Sequence, residues 1–259
     1  MRFFRGYIFD LDGTVYLGER ALPGAVETIA ELRRRGARCV FLSNKPIESV
    51  ANYEAKLNRL GIPVEPGDVL NSSVVMARYL RRVAPNARVY LIGEEPLAEE
   101  LVRAGIRLVT DPLETDYVVV SWDRQFTYRK LDDALQAILR GARFVATHPD
   151  RVCPVEGGVV ADAAGMIAAV EAVTGKKCEE IVGKPSHWTV EVALERLGVP
   201  ASDAIMVGDR LETDMRMGRA AGTATGLVLT GVTTREMVAE AADKPDYVLE
   251  GLRDLLAFE

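Results

Sequence analysis

The chain has 259 residues, 48% hydrophobic and 27% charged, as in an ordinary folded protein with room for one large domain or two. Its net charge of −6 argues against nucleic acid or an anionic membrane as a partner. Because it shows neither a signal peptide nor an apolar run of eighteen residues, we expect a cytoplasmic protein. Three cysteines without metal-ligand spacing predict reduced thiols.

Strand and helix patterns alternate over the first part of the chain. An apolar run from Gly6 to Phe9 predicts a buried strand that ends abruptly at Asp10. The patterns that follow predict a helix at 25–35, a strand at 38–42, a helix at 48–60 and a strand at 69–71. Alternation of this kind predicts parallel strands joined by right-handed crossovers.

The alternation restarts between residues 76 and 182. Strands are predicted at 89–92, 117–120 and 144–146, and helices at about 97–104, 131–139 and 166–173. The last part of the chain has a predicted helix at 187–197 and strands at 205–207, 227–229 and 247–249. A single sheet of all these strands would be unusually large. We therefore predict an α/β fold: a Rossmann-like, doubly wound parallel core of residues 1–75 and 183–259, with a smaller α/β cap domain inserted at residues 76–182.

The first predicted strand ends in two carboxylates, Asp10 and Asp12. Gly13 then allows a sharp turn, and Thr14 offers a hydroxyl and a backbone N–H. A bare D-x-D-G is most often an Asx turn that closes a strand. A calcium loop is excluded by its spacing, because Ala21 stands where a bidentate glutamate is needed. Two nearby carboxylates can instead share a divalent cation, or one can hold a proton while the other is ionised.

Other predicted strand ends also have polar side chains. Ser43 and Asn44 follow the second strand, Asp209 and Asp214 follow a later one, and Lys184 precedes the helix before it. Taken alone, each would be an ordinary turn or surface residue. Their coincidence at the carboxyl ends of successive strands points to a site, because ligands of open α/β sheets bind there.

Four motifs therefore occur in one order along the chain: Asp10-Leu11-Asp12-Gly13-Thr14, Ser43, Lys184, and the pair Asp209 and Asp214. This set resembles the haloacid-dehalogenase-like superfamily, whose motifs are D-x-D-x-T, a Ser or Thr, a Lys and a late acidic pair. The large insert between the second and third motifs resembles the α/β cap of the 4-nitrophenylphosphatase-like branch. Lys45 departs from that branch, which more often has a second Asn there, and it places an extra cation near the phosphate pocket.

The resemblance implies a phosphatase that hydrolyses small phosphomonoesters through an aspartyl-phosphate, and the needs of that reaction agree with the residues present. Hydrolysis requires an in-line nucleophile, a cation against the phosphoryl charge and a proton for the leaving oxygen. Asp10 would attack phosphorus, while Asp12 would protonate the leaving group and then take a proton from water. Mg²⁺ would be held by Asp10, the Asp12 carbonyl and Asp209, with Asp214 orienting that shell.

The remaining motif residues would bind the phosphoryl group. Lys184 would supply a positive charge, and the donors would come from Thr14, Ser43 and the N–H of Asn44. We expect the partner to be a small phosphorylated metabolite, such as a sugar phosphate, a nucleotide or an aryl phosphate. The sequence leaves a homodimer open.

Residues of the cap are expected to choose the substrate, and motif spacing says nothing about which one. His148 and Asp162 are polar residues in predicted cap loops, so they are candidate specificity contacts. Ordinary solvation in an exposed loop is the alternative explanation for both.

Three other activities use related residues. A dehalogenase would also attack with Asp10, but it expels halide and leaves Asp12 and Asp209 without a task. A phosphomutase would use the same residues and differ only in excluding water. A phospho-acceptor receiver domain also has an acidic cluster, Ser or Thr and Lys, but it lacks a cap-sized insert and an acid at the position of Asp12.

Overall fold

The computed structural model describes residues 2–155 and 157–257. The strands are β1 Gly6–Asp10, β2 Tyr16–Leu17, β3 Arg20–Ala21, β4 Arg38–Ser43, β5 Val69–Asn71, β6 Arg88–Ile92, β7 Arg107–Leu108, β8 Tyr117–Val120, β9 Arg143–Ala146, β10 Val152–Val155, β11 Gly158–Ala161, β12 Glu180–Ile181, β13 Ala204–Gly208, β14 Ala224–Val228 and β15 Tyr247–Leu249. The α-helices are α1 Ala25–Arg34, α2 Val50–Arg59, α3 Ser72–Val83, α4 Glu95–Arg103, α5 Tyr128–Leu139, α6 Ala163–Thr174, α7 His187–Leu197, α8 Arg216–Ala220 and α9 Arg235–Glu240.

The chain divides into two compact units. The first consists of Met1–Ser43, Val50–Leu70 and Thr189–Glu259, and the second consists of Asn44–Ser49 and Asn71–Trp188. The main segment of the second unit begins at Asn71, before the predicted start of the insert at residue 76. Residue 71 is the N-cap of helix α3, which sequence patterns did not predict. Its side chain accepts a hydrogen bond from the Val74 N–H at 3.1 Å. The function of this unit as a cap stays a prediction.

The first unit is built on a six-stranded sheet with the order β15-β14-β13-β1-β4-β5. Strand β1 lies at its centre and pairs in parallel with β13 and with β4. All five residues of β1 are buried, as expected for a parallel strand whose two faces are both covered. Successive strands run outward from β1 in one direction through β4 and β5, and in the other through β13 to β15. The switch point of this doubly wound sheet therefore lies between β1 and β13, where such sheets bind ligands.

The second unit has a smaller parallel sheet with the order β12-β9-β8-β6-β7. Alternate residues of β8 point to opposite faces, so Val118 and Val120 join one apolar cluster and Val119 joins the other. Both faces of this sheet are thus packed. A separate antiparallel hairpin, β10–β11, follows it. The two sheets confirm the predicted α/β class and the separation of the strands into a larger and a smaller sheet.

Among the helices of the described residues, none is long and apolar enough to cross a membrane.

Candidate active site

Three buried carboxylates meet at the switch point of the first unit's sheet. Asp10 is the last residue of β1, Asp209 follows β13 directly, and Asp214 lies in a single π-helical turn, Leu211–Met215. One oxygen from each lies within 4.8 Å of the others, and their exposed fractions are 7%, 2% and 0%. The parallel register that sets Phe9 beside Val207 brings the first two together. A π-turn inside a helix is often a functional feature, and this one supplies the third carboxylate.

Hydrogen bonds to each carboxylate fix its orientation. The Val232 N–H donates to Asp209 Oδ2 at 2.7 Å, and the Arg210 N–H donates to Asp214 Oδ2 at 3.2 Å. The Thr14 hydroxyl donates to Asp10 Oδ2 at 3.3 Å. Each of the three carboxylates is therefore held by a neighbouring N–H or O–H group of the first unit.

The chemistry of this donor set fits Mg²⁺. Burying three carboxylates together is costly unless a cation balances them. The group offers only oxygen atoms, with neither imidazole nor thiolate, and oxygen ligands are those that Mg²⁺ prefers over softer ligands. These residues would therefore suit Mg²⁺ rather than Zn²⁺.

Asp12 lies in the turn after β1 and differs from the other carboxylates in its exposure. It is half-buried, and its carboxylate is not part of the described group of three. Gly13 makes the turn with a φ of 85°, and a Cβ there would lie 2.8 Å from Asp209 Oδ2. The Thr230 hydroxyl donates to the Gly13 carbonyl at 2.7 Å, which ties this turn to the loop after β14. The turn predicted at Gly13 is confirmed, and it leaves no room for a side chain beside Asp209.

Tyr16 is a buried residue next to this turn that the sequence patterns did not single out. Burial, together with the negative charges of Asp12 and Asp10, raises the pKa of its phenol far above the usual value. The Lys56 ammonium lies 3.9 Å from the centre of its ring. The phenol therefore keeps its proton at any pH at which the protein would work. No motif spacing could have identified it.

The two predicted hydroxyl donors both bond within the first unit. Ser43 ends β4, and its hydroxyl lies 3.0 Å from the Tyr53 hydroxyl. The Thr14 hydroxyl bonds to Asp10, as above, and its N–H donates to the Leu11 carbonyl at 3.2 Å. Their phosphate-binding roles stay predictions. The hydrogen bond from the Thr14 hydroxyl indicates that Thr14 orients the Asp10 carboxylate.

Asn44 and Lys184 lie together in the second unit. Both are buried, with exposed fractions of 8% and 5%. The Lys184 N–H donates to Asn44 Oδ1 at 2.8 Å, and Asn44 Nδ2 donates to the Lys184 carbonyl at 3.2 Å. These two predicted site residues, 140 positions apart in the chain, are therefore joined by a reciprocal pair of hydrogen bonds.

His148 and Asp162 are not solvated loop residues. Their exposed fractions are 0% and 2%, and His148 Nε2 lies 2.7 Å from Asp162 Oδ1. The other ring nitrogen, Nδ1, lies 2.8 Å from the Thr147 hydroxyl. Asp162 also accepts a hydrogen bond from the Ala163 N–H at the start of α6. Both nitrogens of the ring thus have partners inside the second unit, and a substrate contact for either residue stays a prediction.

Comparisons with known proteins agree with the motif order. A family model described as haloacid dehalogenase-like hydrolase matches residues 7–107, and another described as HAD-hydrolase-like matches residues 181–255. The chain is 39% identical over 250 residues to the sugar-phosphatase AraL of Bacillus subtilis, covering 96% of this chain and 91% of AraL. It is 32% identical over 258 residues to the 5'-nucleotidase YutF of the same organism, covering all of both chains.

A solved structure shows the same similarity over the whole fold. The p-nitrophenyl phosphatase from Archaeoglobus fulgidus superposes with a TM-score of 0.93 at 38% identity, covering 98% of this chain and 99% of that one. The order of the motifs, the carboxylate cluster at the switch point and these full-length similarities agree with one another. The chain belongs to the haloacid-dehalogenase-like hydrolases, and it is a phosphatase of their 4-nitrophenylphosphatase-like branch.

Proposed function

We propose that this phosphatase depends on Mg²⁺ and hydrolyses small phosphomonoesters through an aspartyl-phosphate on Asp10. The observation that supports this most directly is the buried group of three carboxylates at the end of β1, in which Asp10 also accepts a hydrogen bond from Thr14. A nucleophile needs a fixed orientation, and the Thr14 hydroxyl supplies it. Mg²⁺, held by Asp10, Asp209, Asp214 and the Asp12 carbonyl, would neutralise phosphoryl charge when bound.

The proposed reaction has two halves. In the first, a carboxylate oxygen of Asp10 forms a bond to phosphorus as the ester P–O bond breaks, and Asp12 gives its proton to the leaving oxygen. In the second, a water oxygen forms a bond to the same phosphorus while the water gives a proton to Asp12. The bond between phosphorus and the Asp10 oxygen breaks, so phosphate is released and the Asp10 carboxylate is regenerated. The half-buried position of Asp12 suits a group that exchanges protons with substrate and water.

The other phosphate contacts are proposed from the motif resemblance. Lys184 would offset the charge of the phosphoryl oxygens, and Ser43 and the Asn44 N–H would donate hydrogen bonds to them. Lys45 would add a further cation near the phosphate pocket.

The substrate class follows from the relatives. Sugar-phosphatase, 5'-nucleotidase and p-nitrophenyl phosphatase are the names of similar proteins, so sugar phosphates, nucleotides and aryl phosphates are the proposed substrates. We propose that residues of the second unit choose among these leaving groups. Apart from Asn44 and Lys184, the residues assigned to phosphoryl transfer lie in the first unit.

Phosphate release from p-nitrophenyl phosphate tests this proposal. The parent should turn over continuously with Mg²⁺ and stop when a chelator is added. Asp10→Asn should lose activity by roughly a thousandfold or more, because it removes the nucleophile. The matched control is Glu212→Gln, which changes an exposed acid in the same π-turn that supplies Asp214.

Two results would contradict the proposal. Full activity in chelator without any divalent ion would overturn the metal assignment. Mass spectrometry after brief incubation should find phosphate on Asp10, and phosphate on any other residue would overturn the nucleophile assignment.

A further inference from the structure

The side-chain amide of Asn44 binds both backbone polar groups of a single residue, Lys184. Its Oδ1 accepts from the Lys184 N–H at 2.8 Å, and its Nδ2 donates to the Lys184 carbonyl at 3.2 Å. A carboxamide carries its acceptor and its donor on two separate atoms, one for each backbone group of Lys184, whereas an ionised Asp has no donor and a Ser or Thr hydroxyl has both functions on a single oxygen. The amide is 92% buried, where an unmade hydrogen bond is costly.

Asp150 determines which way round this amide sits. Its Oδ2 accepts from Asn44 Nδ2 at 3.0 Å, so a flipped amide would place oxygen against oxygen. The backbone of Asn44 is itself held, since the Ser72 hydroxyl donates to its carbonyl at 2.5 Å. The orientation of Asn44 is therefore fixed from the side chain and from the main chain.

The residue before Lys184 is packed just as closely. The Gly183 N–H donates to the Thr147 carbonyl at 2.6 Å, and a Cβ at Gly183 would lie 2.5 Å from that oxygen and 2.9 Å from Asn44 Oδ1. The buried His148–Asp162 hydrogen bond holds the adjoining part of the same loop. Residues 147–150 thus form a platform for the two residues that adjoin the Lys184 backbone, since Thr147 and His148 lie against Gly183 and Asp150 bonds to Asn44.

We propose that Asn44 is a positioning residue for Lys184: its carboxamide, oriented by Asp150, fixes the backbone from which the Lys184 ammonium projects. His148 and Asp162 brace the platform in this arrangement, and neither needs to touch substrate. The inference rests on the proposed function, in which Lys184 neutralises phosphoryl charge. It gives Asn44 a second task, beside the phosphate contact of its N–H.

A double-mutant cycle tests the positioning role. Asn44→Ala keeps the backbone N–H but removes the carboxamide, and it should lower kcat about 10- to 100-fold through a misplaced ammonium. Since the effect acts through Lys184, adding Asn44→Ala to Lys184→Ala should cost less than about twofold more. The control is Asn58→Ala, which removes another side-chain amide that donates to a backbone carbonyl, that of Glu54.

Amide hydrogen exchange provides a readout that does not need activity. Lys184 donates its N–H to Asn44 Oδ1, so its exchange should become faster in Asn44→Ala by about tenfold or more. The neighbouring Gly183 N–H, which bonds to Thr147, should change much less. Asn44→Asp replaces the Nδ2 donor by an oxygen that would face Asp150 Oδ2 and the Lys184 carbonyl, so it should also lose protection of the Lys184 N–H.

The outcomes separate this inference from the proposed function. Unchanged protection of Lys184 in Asn44→Ala overturns the inference, whatever the activity. The inference is also overturned if the losses of kcat in the two single variants multiply in full in the double variant. It is overturned as well if Lys184→Ala has the kcat of the parent. A parent that releases no phosphate from any ester overturns the proposed function instead, and hydrogen exchange still decides the role of Asn44.

Discussion

Replacing Asp209 by Asn should raise the stability of the metal-free protein and abolish its stabilisation by Mg²⁺. Asp209 lies within 4.8 Å of both Asp10 and Asp214, measured between carboxylate oxygens. Two unit charges at that distance repel by about 3.5 kcal/mol at an effective dielectric constant of 20, so Asp209 takes part in roughly 7 kcal/mol of repulsion. Removing its charge relieves this repulsion when no cation is bound.

Hydrogen bonds to the charged form offset part of that gain. The Val232 N–H donates to Asp209 Oδ2 at 2.7 Å, and a bond to a charged group contributes about 1.5–3 kcal/mol, compared with about 1 kcal/mol for a neutral one. We therefore expect metal-free Asp209→Asn to be more stable than the parent, by less than the roughly 7 kcal/mol of relieved repulsion.

With Mg²⁺ present, the parent should gain stability that the variant does not. Saturation of the parent at about 100 times its dissociation constant would stabilise it by about 2.7 kcal/mol, which raises Tm by roughly 5–10 °C for a chain of this size. Asp209→Asn lacks a charged ligand, so its Tm should hardly respond to Mg²⁺.

Thermal unfolding followed by circular dichroism, in chelator and across a Mg²⁺ titration, measures both effects. Glu212→Gln is the control for loss of one negative charge, because it is exposed and lies outside the group of three. The reasoning fails if metal-free Asp209→Asn unfolds at a lower temperature than the parent and Mg²⁺ still raises its Tm by the parental amount.

Three further predictions concern proton transfer, thiol burial and packing. Asp12→Ala should slow both halves of the reaction, but the first half less so with a nitrophenolate leaving group, which needs no proton. Phosphoenzyme should then accumulate and be visible by mass spectrometry. Its absence at every time point would contradict the proton-transfer role. Burial raises the pKa of Cys39 and of Cys178 to about 12, so iodoacetamide should label neither at pH 8.5 until the protein unfolds. Thiols of the unfolded chain titrate near pH 8.5, below the raised pKa of the buried thiols. The stability that depends on keeping these thiols protonated is therefore fully present below pH 8.5 and is lost as the pH rises towards 12. Urea unfolding at several pH values measures this loss. Gly183→Ala should destabilise by about 1–3 kcal/mol, since its Cβ would meet a carbonyl oxygen at 2.5 Å, whereas Gly165→Ala, with open space around it in α6, should be neutral or stabilising in the same urea assay.

Much of the fold was predictable because its signals are local. The apolar run at β1 is continuous because both faces of a central parallel strand are covered, and the abrupt change to Asp10 marks its end. Helix α3 was missed because its cap, Asn71, also ends a strand pattern, and one residue cannot signal both roles in a linear sequence. The strands of the hairpin β10–β11 were not predicted, since short strands lack a distinctive period.

The candidate site divides in the same way. The residue types at the strand ends and their order can be read from the amino-acid sequence, and this was enough to recognise the family and to predict Asp10, Asp209 and Asp214 as neighbours. Parallel strands place their carboxyl ends at one edge of a sheet, so a local pattern predicts a shared location there.

Which side chains touch and which are buried became known from the folded structure. The pairing of Asn44 with the Lys184 backbone joins positions 140 residues apart, and no period or spacing encodes it. In the sequence, His148 and Asp162 were candidate specificity contacts or else solvated loop residues, and only the structure shows both buried and joined by a hydrogen bond inside the second unit. The physical reason is that local patterns report backbone conformation and the average burial of a face, whereas a specific hydrogen bond depends on where crossover connections bring distant segments of the chain together.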